Sequence, residues 1–210
     1  YHASIHSRTT DSYHTTHSLD PPGLTPYSCK KAAKDGDLEI LKFLRKHGCH
    51  WDHRTSKNAA KYGHLHVLTY LHTSGCPWNA YAVSVAAKNG HLDCVRYMIQ
   101  HGCGFHDNAM QYAATGGDVD CIHYLIAQGC PIDRFAMQHA AKHGHLQVVK
   151  VLYDNHYPWD ATVCEKAVEG GHDAIVHFLI SNGCPMDETA CKRAARGGNL
   201  AMLRHLVKCG

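Results

Sequence analysis

The 210-residue chain has no apolar run of the eighteen or so residues that a helix needs to cross a bilayer, so a helical membrane span is excluded. It also has no block of like charge. Its 21 Lys and Arg stand against 18 Asp and Glu, a net charge of +3 at pH 7, without a basic run or an acidic tail. Attraction to nucleic acid or to a membrane surface therefore has no electrostatic support, and neither is expected as a partner. G-x-S-x-G, a P-loop and H-E-x-x-H are all missing, and the carboxylates do not recur in pairs. The chain is thus read as a non-enzyme with no cofactor. It opens on Tyr1 instead of Met and shows no signal peptide, so its natural N-terminus is expected to lie further upstream.

What is present is a period. Alanine pairs stand at Ala32-Ala33, Ala59-Ala60, Ala86-Ala87, Ala113-Ala114, Ala140-Ala141 and Ala194-Ala195, with Ala167-Val168 completing the series at steps of 27 residues. Gly36, Gly63, Gly90, Gly117, Gly144, Gly171 and Gly198 keep the same step. Seven units without an insertion are the mark of a solenoid, in which each unit buries its apolar faces against the next.

In the second unit, Ser56 to Tyr62 carries the alanine pair and reads as a short helix. Gly63 suits a left-handed residue that ends it. His64 and its counterparts Asp37, His91, Asp118, His145, His172 and Asn199 open the next helix, the Asp and Asn members as caps. Leu65, Val67, Leu68 and Leu71 then recur at helical spacing, and Gly75 ends the second helix before a short loop. Each unit is helix, tight turn, helix, loop, and two such short helices are marginal alone.

The units resemble ankyrin repeats. Thr162-Val163-Cys164-Glu165-Lys166-Ala167 and Thr189-Ala190-Cys191-Lys192-Arg193-Ala194 occupy the place of T-P-L-H-x-A, "GHL" at 63–65, 90–92 and 144–146 fits the turn between helices, and "GCPID" at 129–133 matches the G-A-D-V-N segment. The resemblance runs from about Leu24 to Gly210, and the missing six residues per unit fall where ankyrin proteins carry a β-hairpin tip. The predicted architecture is an all-α, ankyrin-like helix-turn-helix solenoid of about seven 27-residue repeats with vestigial β-hairpins, similar to the short Cys- and Trp-rich arrays of giant viruses, oomycetes and algae. Residues 1–23, rich in Ser, Thr and His, do not fit the register and are read as a poorly ordered tail or linker, while residues 24–210 form the repeat domain with an incomplete last unit. Leu200, Met202, Leu203 and Leu206 have no polar cap after them, so further units or a cap are expected to follow.

The eleven cysteines follow the register. Cys49, Cys76, Cys103, Cys130 and Cys184 follow a glycine, Cys29, Cys164 and Cys191 fall in the first helix, Cys94 and Cys121 in the second, and Cys209 stands apart. They are read as small buried hydrophobes. Equivalent positions in stacked units lie about 8–10 Å apart, beyond the ~7 Å that a disulfide spans. No disulfides are expected, and the compartment is read as intracellular, cytoplasmic or nuclear. "HGCHWDH" at 47–53 gathers potential zinc ligands but has no matching second cluster, so no metal site is assigned. Trp51, Trp78 and Trp159 share one position with Phe105, Ile132 and Met186, which reads as core between units.

The resemblance implies a non-catalytic protein–protein interaction scaffold. The alternative carried beside it is a redox- or metal-responsive Cys/His protein. Carried over by register, the concave binding face comprises Lys61, Tyr62, Tyr81, Lys88, Asn89, Asp107, Arg134, Phe135, Lys142, His143, Glu169 and Glu188, with Lys34, Asp35, His53 and Arg196 at the same positions of other units. Tyr62, Tyr81 and Phe135 are its expected aromatic anchors, and the lysines flanking them favour a partner with acidic residues.

Overall fold

The computed structural model describes residues 25–209. The proposed tail at 1–23 therefore lies outside the described residues. Fourteen helices follow one another in seven pairs: α1 (Pro26–Asp35) and α2 (Leu38–Lys46), α3 (His53–Lys61) and α4 (Leu65–Thr73), α5 (Ala80–Lys88) and α6 (Leu92–Gln100), α7 (Ala109–Gly116) and α8 (Val119–Ala127), α9 (Ala136–Lys142) and α10 (Leu146–Asp154), α11 (Ala161–Gly170) and α12 (Asp173–Ser181), α13 (Glu188–Arg196) and α14 (Leu200–Cys209). No strand occurs among the described residues, so the hairpin remnants are plain loops.

Two rows of helices stack side by side. The odd-numbered helices each pack on the next, as do the even-numbered ones from α2 to α12. The alanine pairs explain why the odd row packs more closely: Ala59, Ala60, Ala86, Ala87, Ala113, Ala114, Ala140 and Ala141 are fully buried and let backbones approach. The odd row, packed more extensively than the even one, is taken as the inner side of the stack. Leu41, Leu68, Leu71, Met98, Ile122, Leu125, Leu152 and Leu179 fill the layer between the rows.

Helix starts differ from the sequence reading in two ways. First, α3 begins at His53, not Ser56, because Asp52 caps it by accepting a hydrogen bond from the Arg54 amide at 2.8 Å. Asp160 and Asp187 do the same for α11 and α13. The aspartate of the "WD" segment is a helix start, not the residue of a strand. Second, the turn position holds two devices. Asp37, Asp118 and Asn199 cap their own helices, accepting from the amides of Ile40, Cys121 and Met202. The histidines at the same position make no side-chain cap. Instead the rings of His64, His145 and His172 donate from Nε2 to the carbonyls of Lys34, Thr115 and Lys142 in the preceding unit, at 2.9, 3.0 and 3.0 Å. Each ring lies over the turn glycine of that unit. A Cβ built on Gly117 meets the His145 ring at 2.3 Å. Gly117 also holds φ 83°, so the position needs glycine for its backbone and for the ring above it.

The fifth unit departs at its far end. His156, in place of glycine, takes the left-handed conformation at φ 58°, and Tyr157 fills the slot of the usual cysteine, 5% exposed. The Trp position is also less uniform than expected. Trp51, Trp78, Trp159, Phe105 and Met186 pack against the core, but Ile132 is 64% exposed, so bulk at this register does not by itself mean burial.

Candidate partner-binding surface

The face that the odd helices present is set by the register around the alanine pair. The pair is buried, so the residues just after it, and those one turn earlier, point away from the core. Lys61, Lys88 and Lys142 are the last residues of α3, α5 and α9, and Tyr62, Asn89 and His143 are the caps that follow. Tyr81 lies in the first turn of α5, Phe135 caps α9, Glu169 is in the last turn of α11 and Glu188 begins α13. Arg134 and Asp107 are exposed loop residues.

These residues do not form one site. Lys61, Tyr81, Lys88 and Asn89 share a hollow of about 400 Å³ with Lys57, Val85 and Tyr112. Lys88 and Tyr112 also line the next hollow, of about 330 Å³, with Gln111, Thr115, His139 and His143. The two are therefore continuous along α3 to α9. Arg134 and Phe135 line a separate hollow with Gln138, Trp159 and Asp160. Glu188 belongs to another, near Met186 and Leu206. The sequence reading missed Lys57, Gln111, Tyr112 and His139. Their signal was available, since they stand three or four residues before Lys61, Thr115 and His143, on the same helix face.

Several side chains of the face already have duties. Tyr81, expected to be exposed, is half-buried, its hydroxyl 3.2 Å from that of Tyr112 and the rings edge to face at 5.6 Å. Tyr62 and Phe135 are open, at 39% and 40% exposure. The Asn89 amide donates to the Val85 carbonyl at 2.7 Å, closing its own helix end. Lys142 pairs with Glu169 at 2.9 Å, Lys166 reaches the same carboxylate at 2.8 Å, and Arg193 joins Glu169 at 3.2 Å and bonds Glu165. The hydrogen bonds from Lys166 and Lys142 hold the Glu169 carboxyl down at about 2.

His139 closes a circuit of hydrogen bonds. The Thr115 hydroxyl donates to the Gln111 carbonyl at 2.8 Å and lies 3.0 Å from His139 Nδ1, while the Gln111 amide lies 2.7 Å from His139 Nε2. With the proton on Nδ1, every donor meets an acceptor, which assigns a neutral ring. Burial, then the neighbouring His143, lowers the imidazole pKa and favours that state.

The thiols are not poised for chemistry. Burial pushes Cys94, Cys103, Cys130 and Cys164 up to about 11 and Cys184 to about 12, so they are held as thiols at neutral pH. The distance between stacked units keeps only equivalent cysteines apart. Within the first unit, two non-equivalent thiols come together, Cys29 Sγ 3.1 Å from Cys49 Sγ. In "HGCHWDH" the side chains diverge: His47 bonds the Phe43 carbonyl, Cys49 the Thr25 carbonyl, and Asp52 caps α3. Among the described residues no three His, Cys, Asp or Glu side chains converge as metal ligands. No helix among them is long and apolar enough to cross a membrane.

A stack of seven helix pairs among the described residues, with alanines inside and variable residues on the odd row, defines a helical-repeat solenoid. The family model for ankyrin repeats (3 copies) matches residues 29–105, 56–136, 84–166 and 112–187, which together span well over half of the chain. The chain belongs to the ankyrin-repeat family. Among solved structures, the ankyrin repeat domain of human ASB11 is similar in fold, with a TM-score of 0.65 at 20% identity over 75% of this chain and 84% of that one. No curated protein matches the chain.

Proposed function

We propose that the chain is a non-catalytic scaffold that binds another protein along its odd-helix, inner face. Ankyrin repeats are generally protein-interaction modules, and membership of that family supports the class. The observation that carries the choice of face is the continuous groove from Lys57 to His143, built from side chains that the core does not use. The 27-residue period and the regular cysteines favour an array of the short, Cys- and Trp-rich type, with 1–23 as a tail to a repeat domain at 24–210. Buried thiols without a matched disulfide pattern favour a reducing, intracellular setting.

The test is capture of a partner from cell extract, followed by titration. Tyr62→Ala, Tyr81→Ala and Phe135→Ala should each weaken binding by about 1–3 kcal/mol, with helix content unchanged by circular dichroism. Tyr81→Ala should also loosen Tyr112, whose hydroxyl it meets. Full affinity in the triple variant would move the site to the even helices or the loops.

A further inference from the structure

The inner face is not evenly charged. The odd helices α3, α5, α7 and α9 contain no Asp or Glu. At one register position the first three units place Lys34, Lys61 and Lys88, each 27 residues after the last. Among the described residues none of the three has a carboxylate partner, and each meets an aromatic ring instead. The Lys34 and Lys61 ammonium groups lie 5.4 and 5.3 Å from the centre of the same Tyr62 ring. Lys88 lies 5.6 Å from that of Tyr112, and Lys57 6.0 Å from that of Tyr81. The nearby acids are engaged or lie in the loops: Asp35 pairs with Lys31, Asp52 with Lys30, and Asp133 caps a turn.

A row of like charges without counter-charges raises the energy of the free protein and makes an anion its complement. One cation stands per unit, and stacked helices are about 8–10 Å apart. A polyproline II strand rises about 3.1 Å per residue with three residues per turn, so its residues i, i+3 and i+6 share a face at about 9 Å. A β-strand repeats its face about every 6.7 Å, out of step with the ladder, and a nucleic-acid strand carries a charge every ~3.4 Å, so that about two of every three phosphates would meet no cation.

We propose that Lys34, Lys61 and Lys88 form a carboxylate ladder for an extended, polyproline II-like peptide segment with Asp or Glu at every third position, its backbone lying against Tyr62, Tyr81 and Tyr112. This rests on the reading of the odd-helix face as the binding face. The ladder stops at the fourth unit, where the position is Thr115, and in the fifth the lysine at that position, Lys142, is held by Glu169.

The test is anisotropy titration of the 210-residue chain with a labelled (Glu-Pro-Pro)5 peptide. The comparison ligands are a five-glutamate peptide with four-residue spacing, (Lys-Pro-Pro)5 and an oligothymidylate with five phosphates. The three-residue spacing should bind best, with affinity falling as salt rises. Lys34→Ala, Lys61→Ala and Lys88→Ala should each weaken it about two- to fivefold and flatten the salt dependence, while Arg96→Ala on α6 should change nothing. Equal binding of the lysine peptide or of the four-residue spacing, tighter binding of the oligonucleotide, or unchanged affinity in the lysine variants would each overturn the ladder. If the peptide fails while hydrogen exchange shows a captured protein protecting α3 and α5, the acidic occupant falls and the face stands. If a bound peptide protects α4 and α6 instead, both fall.

Discussion

The two halves of the inner face use one register position in opposite ways. In the first three units Lys34, Lys61 and Lys88 lie over tyrosine rings and form no ion pair among the described residues. In the fifth and sixth units the same position holds Lys142 and Glu169, which are bound to each other, and Arg193, one turn before Arg196 of the seventh unit, extends the chain of ion pairs to α13. A surface position in a repeat array is therefore not functional by virtue of its register. Its neighbour one unit away decides whether its charge is neutralised within the stack or left to face outward.

The largest expected effect concerns the joints between units. Gly117→Val should cost about 2–4 kcal/mol, since it combines left-handed strain with displacement of the His145 ring that its Cβ would meet at 2.3 Å. Gly171→Val, at φ 73° with nothing within 4 Å of its Cβ, should cost about 1–2 kcal/mol. Urea unfolding of both variants makes the measurement, and equal losses would remove the ring from the account.

Next in size is the acidic clamp of the second half. Glu169→Gln should destabilise by about 1 kcal/mol, limited by the partial exposure of the pairs it breaks. The folded carboxyl is lowered from 4.5 to about 2, so its contribution is complete above about pH 4.5 and is lost as pH falls from there toward 2. Hydrogen exchange resolved by unit should show α9, α11 and α13 loosening in that window before α3 and α5. Raised salt should weaken this half and relieve repulsion in the other; loosening of both halves together would break the comparison.

The smallest effect lies inside the second half, at the far end of the fifth unit, and has the opposite sign. His156→Gly should stabilise by about 1 kcal/mol, because glycine takes the left-handed conformation at φ 58° without the Cβ penalty. A thermal melt is sufficient, and a lower melting temperature would show that the His156 side chain has a role that the backbone argument omits.

The period, the alanine pairs and the turn glycines were legible because each is fixed by packing against an identical neighbour. The start of α3 was misplaced because the helix was read outward from the alanine pair and begun at Ser56, whereas the Asp52 carboxylate caps it from His53. Of the candidate face, Lys61, Tyr62 and Lys88 could be read from their place after the alanine pair. Lys57, Tyr112 and His139 were missed although helical spacing puts them beside it. The link from Lys142 to Glu169, and the burial of Tyr81 against Tyr112, could not be read at all. Both join residues of different units, and the contact exists only once the stack has set their separation.

The histidine that crosses three of the joints asks little of the unit it grips. His64, His145 and His172 reach a backbone carbonyl 30 residues earlier and rest on a glycine, both of which every unit offers whatever its side chains. Such a seam works like a standard coupling between railway cars: a block of 27 residues can be removed or duplicated, and the next ring still finds a carbonyl and a bare glycine waiting. The Lys142 to Glu169 link has no such indifference, because it fits one neighbour and no other. The joint between the fifth and sixth units carries both kinds of link, so a block exchanged there would keep its histidine coupling and lose its ion pair.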